Sequence, residues 1–327
     1  MFSSLIFKVK HLKSTHQQLR DFQRVNGGSM WWWRFAKAYL IHGCYINQYI
    51  YGEFFRLTPA ERKASLTYPR FEKVLFACNP REHWHYLQNK KEFNTHFAPF
   101  VNRHWLYVPE ADYDTFVQFV QANTDLLVKP YRMFMGKGIH RFIIPKDPTG
   151  MHEVYETLRK NECLLEERIH QHPVLTLGAQ SVNTVRAYTV IDKDGTVHLL
   201  KTVFRGGVGD SVVDNFHAGG CIYAVDLDTG VIVTPGMQRT ADGKRTWHKI
   251  HPGTDTMMIG FKIPNWEILK TQIVEAARSL PQCRYVGWDI AITQDGIELI
   301  EGNEEADYEL LEFVGEKGWW SKIKKMI

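Results

Sequence analysis

The 327-residue sequence predicts an α+β protein built on antiparallel sheets. Two observations carry that prediction. Three β-rich runs, 182–191, 197–205 and 221–225, follow one another with turn signals at Asp192-Lys193-Asp194-Gly195 and Asp228-Thr229-Gly230. Strands and helices are mixed without the strict alternation of a parallel doubly wound sheet. With 44% hydrophobic and 23% charged residues the chain can bury a large core, as one multi-lobed body or as two or three small domains.

Residues 1–66 read as a helical accessory region with few turn signals. There Thr58-Pro59-Ala60-Glu61 supplies an N-cap, a proline at the first helical position and an acidic first turn. The stretch 31–51 approaches the length of a membrane span, roughly 20 residues, but Arg34, Lys37, His42 and Asn47 interrupt it. Its apolar residues Phe35, Tyr39, Ile46, Tyr49 and Ile50 recur at helical spacing, so it reads as a packed amphipathic helix, with an interfacial anchor as the alternative.

Residues 67–125 read as a small α/β subdomain, with the apolar run Val74-Leu75-Phe76-Ala77-Cys78 as a buried strand and 112–121 as a helix. The main domain, 126–327, divides into a lobe at 126–175, a lobe at 176–310 and a tail at 311–327. The first lobe begins with a strand at 126–130, a glycine loop at 136–138 and a returning strand at 139–144. A helix near 151–160 and a strand through Leu164-Leu165-Glu166-Glu167 complete it. The second lobe holds the three β-rich runs, a helix at 266–279 and a last hairpin at 286–301.

Several function classes are excluded by composition. The net charge is only +4 and the basic residues are scattered, apart from Lys322, Lys324 and Lys325, so a nucleic-acid partner is not expected. Five widely spaced cysteines (44, 78, 163, 221 and 283) without a CxxC pair argue against a disulfide framework or a zinc site. The short apolar start, followed at once by Lys8, Lys10 and Lys13, is not a secretory signal, and a cytoplasmic location is expected.

The strongest chemical signal is Gly287 to Asn303. A three-residue loop at Gln294-Asp295-Gly296, with Gly296 left-handed, would pair Thr293 with Ile297 and set Asp289 opposite Glu301. Asn303 would then share their face, while Ile290, Ile292 and Ile300 point into the opposite layer. Three oxygen donors on one face suit magnesium. A two-residue loop would instead oppose Asp289 to Gly302 and split the acids, leaving an ordinary hairpin with solvated carboxylates.

Other signals are weaker singly. Lys129 at a strand end precedes Gly136-Lys137-Gly138, which can cradle phosphate but also reads as a plain hairpin turn, and a Walker A loop is absent. Glu166, Glu167 and the backbone near Ile169 form a connector suited to adenosine or merely a solvated strand end. Arg186 and Arg205 are candidate phosphate clamps. Asn215 and Gly219-Gly220 lie in a loop suited to closing over substrate, and His217 beside them reads as solvent-facing.

Lysine strand, glycine loop, glutamate connector, two strand arginines, Asn with Gly-Gly, and D…E-x-N follow in one direction along the chain, an order that resembles the ATP-grasp superfamily. The segments 166–173, 181–186 and 214–220 look more narrowly like the sugar-transfer-associated ATP-grasp family, found among polysaccharide and cell-envelope biosynthesis proteins. The similarity spans roughly residues 68–310. The resemblance implies an ATP-grasp fold with the nucleotide between two α+β lobes. It implies contacts from Lys129 to the α-phosphate, from the 136–138 loop to the β and γ phosphates, and from Glu166, Glu167 and Ile169 to adenosine. Asp289, Glu301 and Asn303 match magnesium ligands, two ions being expected and manganese a substitute, and Arg186 and Arg205 match positions that steady the transferred phosphate.

The expected function is an ATP-dependent carboxylate-amine ligase using an acyl phosphate, with small, sugar-linked substrates and a peripheral contact with the inner membrane face or an envelope enzyme. A sugar phosphotransferase on the same scaffold and a non-catalytic nucleotide-binding scaffold are the alternatives. The acceptor itself is not written in the sequence, because fold does not fix function.

Overall fold

A computed structural model of the chain describes residues 14–24, 27, 30–131, 138–145, 147–179, 181–209, 214, 216–239 and 245–327. Its strands form two wholly antiparallel sheets. The small sheet joins β1 (Trp105–Tyr107), β2 (Leu126–Pro130), β3 (His140–Arg141) and β4 (Cys163–Glu167) in the order β1-β4-β2-β3. The large sheet contains β5 (Thr184–Ile191), β6 (Val197–Gly206), β7 (Cys221–Val225), β8 (Gly236–Arg239), β9 (Arg245–His248), β10 (Tyr285–Ile292) and β11 (Ile297–Asn303). Its order is β11-β10-β5-β6-β7-β8-β9, so β10 and β11 return beside β5 after a long excursion.

Each sheet is covered where its apolar residues demand it. Helices Tyr113–Ala122 and Pro148–Lys160 bury Phe116, Val120, Tyr155 and Leu158 against Leu126, Val128 and Leu165 of the small sheet. Asp112 and Asp147 cap these helices by accepting from the backbone N–H of Thr115 and Gly150. Helix Trp266–Ser279 presents Leu269, Ile273, Ala276 and Ala277 at helical spacing to one face of the large sheet. There they meet Trp288, Ile290 and Ile292, each worth roughly 1.5–3 kcal/mol for a large apolar side chain taken fully from water.

The opposite face is roofed by two segments distant in sequence, 51–74 and 311–323. Tyr51, Leu66, Phe71 and Val74 pack there with Leu311, Phe313, Trp319 and Ile323 against Tyr188, Val203 and Tyr285. Lys201, buried on β6, fastens this roof by donating to the carbonyls of Leu311 (2.6 Å), Val314 and Glu316 (3.1 Å). All three ammonium protons are thereby used. The region before it has its own cluster, in which Leu19, Trp31, Phe35, Ile46, Tyr49 and Phe54 pack together. Thr58 caps the helix that begins at Pro59, as the sequence suggests, and Glu61 completes a capping box with it.

Two expectations fail in this part of the chain. The run 74–78 is the end of a helix, Tyr68–Cys78, with Phe71, Val74 and Cys78 buried and Phe76 93% exposed. Five consecutive apolar residues resemble a buried strand, but the inward residues recur every three to four positions, the period of a helix. The returning strand expected at 139–144 is confined to His140–Arg141, because Ile143 (83% exposed) and Ile144 point to solvent instead of pairing. Strands β8 and β9, short and half polar, carry too little pattern to be read beforehand.

Candidate active site

The β10–β11 hairpin brings Asp289 opposite Glu301, though by a different route from the one the sequence suggests. Ile292 pairs with Ile297, so the turn holds four residues, and Gly296 is not left-handed. A bulge beyond the Asp289/Ile290 step then absorbs one residue of β11 and restores the opposition of the acids. Ile300 is that extra residue. It leaves the apolar layer of Ile290 and Ile292 and lines a cleft, contrary to the expected alternation. Gly287, two residues before Asp289, is needed for space: a Cβ there would stand 2.4 Å from Ala306 Cβ and 3.2 Å from an Arg186 guanidinium nitrogen.

Arg186 of β5 pairs directly with Asp289 of β10 and grips it with two nitrogens, Nε to Oδ1 and Nη2 to Oδ2 at 3.0 Å. Arg205 adds a contact to Oδ2 at 2.9 Å, and its Nε reaches Thr184 Oγ1 (2.8 Å) and Asp214 (3.3 Å). Burial alone would raise the Asp289 carboxyl, but the two guanidiniums prevail and hold it at about 2. Glu301 differs. Its side chain opens to the cleft, yet crowding by surrounding protein, aided by the Asp289 charge, pushes it up to about 7. Asn303 donates to the Gly287 carbonyl (3.3 Å) and to Glu301 (3.4 Å).

The donor set fits a hard divalent cation. A carboxylate offers about four lone-pair sites, of which the arginines take three on Asp289. Glu301 and the Asn303 carbonyl add further oxygens on the same face, and a cation between two facing carboxylates relieves their repulsion.

Across the cleft, the small sheet contributes a second ion cluster. Glu166 accepts from Arg103 Nε (2.9 Å), Lys129 Nζ and Asn94 Nδ2 (3.1 Å). Arg103 also donates to Glu298 (2.5 Å), the Leu299 carbonyl (2.8 Å) and Asn94 (3.0 Å), bridging β4 to β11. Lys90, Lys129, Glu166, Glu301 and Asn303 line one cleft of about 490 Å³ between the sheets.

Of the expected residues, Arg186, Arg205, Asp289, Glu301 and Asn303 gather on one face of the large sheet. Lys129 and Glu166 face Glu301 and Asn303 across the cleft. Glu167 and Ile169 instead line a neighbouring cavity of about 690 Å³, which meets the cleft's lining at the Arg103–Glu166 pair. Gly138 is left-handed (φ 75°) just before β3, while Gly136, Lys137 and Asn215 lie outside the described residues. Gly219 (φ 98°) and Gly220 lead into β7, and His217 beside them is tied to Asp307 at 3.2 Å. Arg103, Asn94, Lys90, Asp214 and Thr184 were not singled out from sequence. Asp214 and Thr184 stand inside quoted motif segments and could have been found there. Arg103 could not, since its carboxylate partners lie 63 and 195 residues away.

Among solved structures, an ATP-grasp ligase, PsnB, complexed with a minimal precursor aligns at 16% identity and a TM-score of 0.47, covering 76% of this chain and 63% of that one. An N5-carboxyaminoimidazole synthetase from Staphylococcus aureus complexed with ADP aligns at 10% identity and a TM-score of 0.40, covering 67% and 44%. A D-alanine–D-alanine ligase from Bacillus anthracis aligns at 11% and 0.36, covering 67% and 57%. The chain therefore spans less than two thirds of each of these proteins. No curated protein matches it. The family model for sugar-transfer associated ATP-grasp matches residues 72–326, from within the Tyr68–Cys78 helix through both lobes of the cleft, and the chain belongs to that family.

Proposed function

We propose that the protein is an ATP-dependent carboxylate-amine ligase that works through an acyl phosphate and serves cell-envelope or polysaccharide assembly. The observation that carries this reading is the opposition of Asp289 and Glu301 across β10–β11, with Arg186 and Arg205 seated behind Asp289 and Lys129 across the cleft. Asp289, Glu301 and Asn303 would hold magnesium, which supplies neutralisation of the nucleotide's phosphates.

The chain's own residues do the remaining work. Lys129 exchanges Glu166 for the α-phosphate, the 136–138 loop covers the β and γ phosphates, and Glu166, Glu167 and the backbone at Ile169 meet adenosine. Arg186 and Arg205 steady the oxygens of the transferred phosphoryl group, and Asn215, Gly219 and Gly220 hold the acceptor. A carboxylate oxygen attacks the γ-phosphorus and ADP leaves. The amine nitrogen then attacks the acyl carbon, phosphate leaves with the C–O electron pair, and the amine's proton passes to it. Alignment and charge suffice, and no side-chain nucleophile is required.

Calorimetric titration of ATP with and without magnesium, on the wild type and on an Asp289→Asn, Glu301→Gln double variant, tests the site. Magnesium-dependent binding lost in the variant is expected. A well-folded wild type that binds no ATP, alone or with candidate acids present, would sink the proposal. Once substrates are found, release of free phosphate with ADP distinguishes a ligase from a phosphotransferase, which keeps the phosphate on its product.

A further inference from the structure

The helical region before residue 72 contains a basic cavity that the ligase chemistry does not use. Its walls, enclosing about 300 Å³, include Arg34, Lys37, Ile41, His42, Tyr49 and Arg62. Arg62 is fixed there by donating to the carbonyls of Phe54 (3.3 Å) and Phe55 (3.0 Å), and Arg34 lies over the Trp31 ring at 5.3 Å. Burial, with a further contribution from the charges of Arg70 and Arg62, lowers the pKa of His42. The sequence from 22 to 52 contains no acidic residue. Tyr49 lines the cavity and is only 1% exposed, and its hydroxyl has no hydrogen-bond partner among the described residues. A buried hydroxyl without a partner is rare in a finished interior.

An independent observation concerns the rim. Helix Trp31–His42 packs Trp31, Phe35 and Ala38 inward but leaves Trp33 (73%), Leu40 (79%) and Ile41 (61%) exposed. Trp33, Lys37 and Leu40, and likewise Arg34, Lys37 and Ile41, fall on adjoining rows of one helical face. Exposed tryptophan and aliphatic side chains interleaved with basic ones suit the boundary between lipid headgroups and acyl chains. No helix among the described residues is long and apolar enough to cross a membrane, so the contact would be peripheral.

We propose that this face docks on an anionic membrane surface, with a phospholipid phosphate entering the Arg34–Lys37–Arg62 cavity and Trp33, Leu40 and Ile41 entering the acyl boundary. The lipid's negative charge complements a cavity walled by Arg34, Lys37 and Arg62 in a segment without acids between residues 22 and 52. Salt weakens the electrostatic part, whereas the apolar rim is insensitive to it.

The test is co-sedimentation of the full chain with vesicles of phosphatidylcholine alone and of an equimolar mixture with phosphatidylglycerol. The expected result is partition onto the anionic vesicles only, about fivefold weaker for Arg34→Gln and again for Lys37→Gln, and abolished by a Trp33→Ala, Leu40→Ala double variant. These four side chains are exposed, so the variants should keep their circular dichroism and their magnesium-dependent ATP binding. Failure to bind anionic vesicles at low salt would overturn the proposal, as would equal partition of the variants. Binding of inorganic phosphate that Lys37→Gln abolishes, without vesicle binding, would mark a soluble-anion site and overturn it too.

Discussion

Two buried ion clusters share the β10–β11 hairpin, and they are balanced differently. Around Arg103, two cations, Arg103 and Lys129, face two carboxylates, Glu166 and Glu298. Asn94 and the Leu299 carbonyl occupy further hydrogen-bonding positions. Around Asp289, two guanidiniums face three carboxylates, Asp289, Asp214 and Glu301. The first cluster is balanced in charge and, through Arg103, ties the small sheet to the large one. The second is short of positive charge, and its excess shows in Glu301, raised by burial and by Asp289. A neutral cluster is a strut, while an under-neutralised one at a cleft is a place for a cation.

The largest expected effect follows from breaking the strut. Arg103→Met leaves Glu166 with Lys129 and the neutral Asn94 amide, and Glu298 with only backbone donors, both deep in protein. Removing one partner of a buried pair costs about 3–5 kcal/mol, so urea unfolding should show a midpoint lowered accordingly. A loss below about 1 kcal/mol would mean that the lobes are held together mainly by apolar contacts.

A smaller effect should appear on acidification. Burial raises the Glu166 carboxyl, but Arg103 and Lys129 outweigh it and hold its folded pKa well below the ordinary 4.5. Between the folded and unfolded values the unfolded chain binds more protons, so stability rises with pH there. The contribution is complete above pH 4.5 and is lost as pH falls toward the folded pKa. Unfolding free energy measured from neutral pH down to pH 3 should fall less steeply in Glu166→Gln than in the wild type; parallel curves would remove Glu166 from the acid response.

The same contrast marks what the sequence makes legible. Asp289, Glu301 and Arg186 are neighbours on adjacent strands, and a period of two carries them to one face once a register is assumed. The bulge that rescues this register at Ile300 has no local signature, and two compensating errors gave the right opposition of acids. Helix Trp266–Ser279 is readable because its inward residues keep strict helical spacing. The apolar run at 74–78 misleads because both periods fit five residues. Arg103 is invisible for a different reason: its partners converge from the helix at 90–96, β4 and β11, which only the tertiary fold brings together.

The smallest expected effect on stability is also the sharpest test of the comparison. Glu301→Gln removes a charge from the cluster that has too many of one sign, and its side chain stands at the open cleft. Like-charge repulsion with Asp289 is relieved, and the amide keeps the shape of the carboxyl. Unfolding free energy should therefore change by no more than about 0.5 kcal/mol, and toward stability if it changes. Magnesium-dependent ATP binding should nevertheless be lost, because an amide is a far poorer ligand for a hard dication than a carboxylate. A fold that tolerates Glu301→Gln while the nucleotide site does not would show that this carboxylate is retained at the expense of stability, as functional groups are. If Glu301→Gln instead destabilised the protein as Arg103→Met does, the second cluster would be a strut like the first, and the distinction between them would fall.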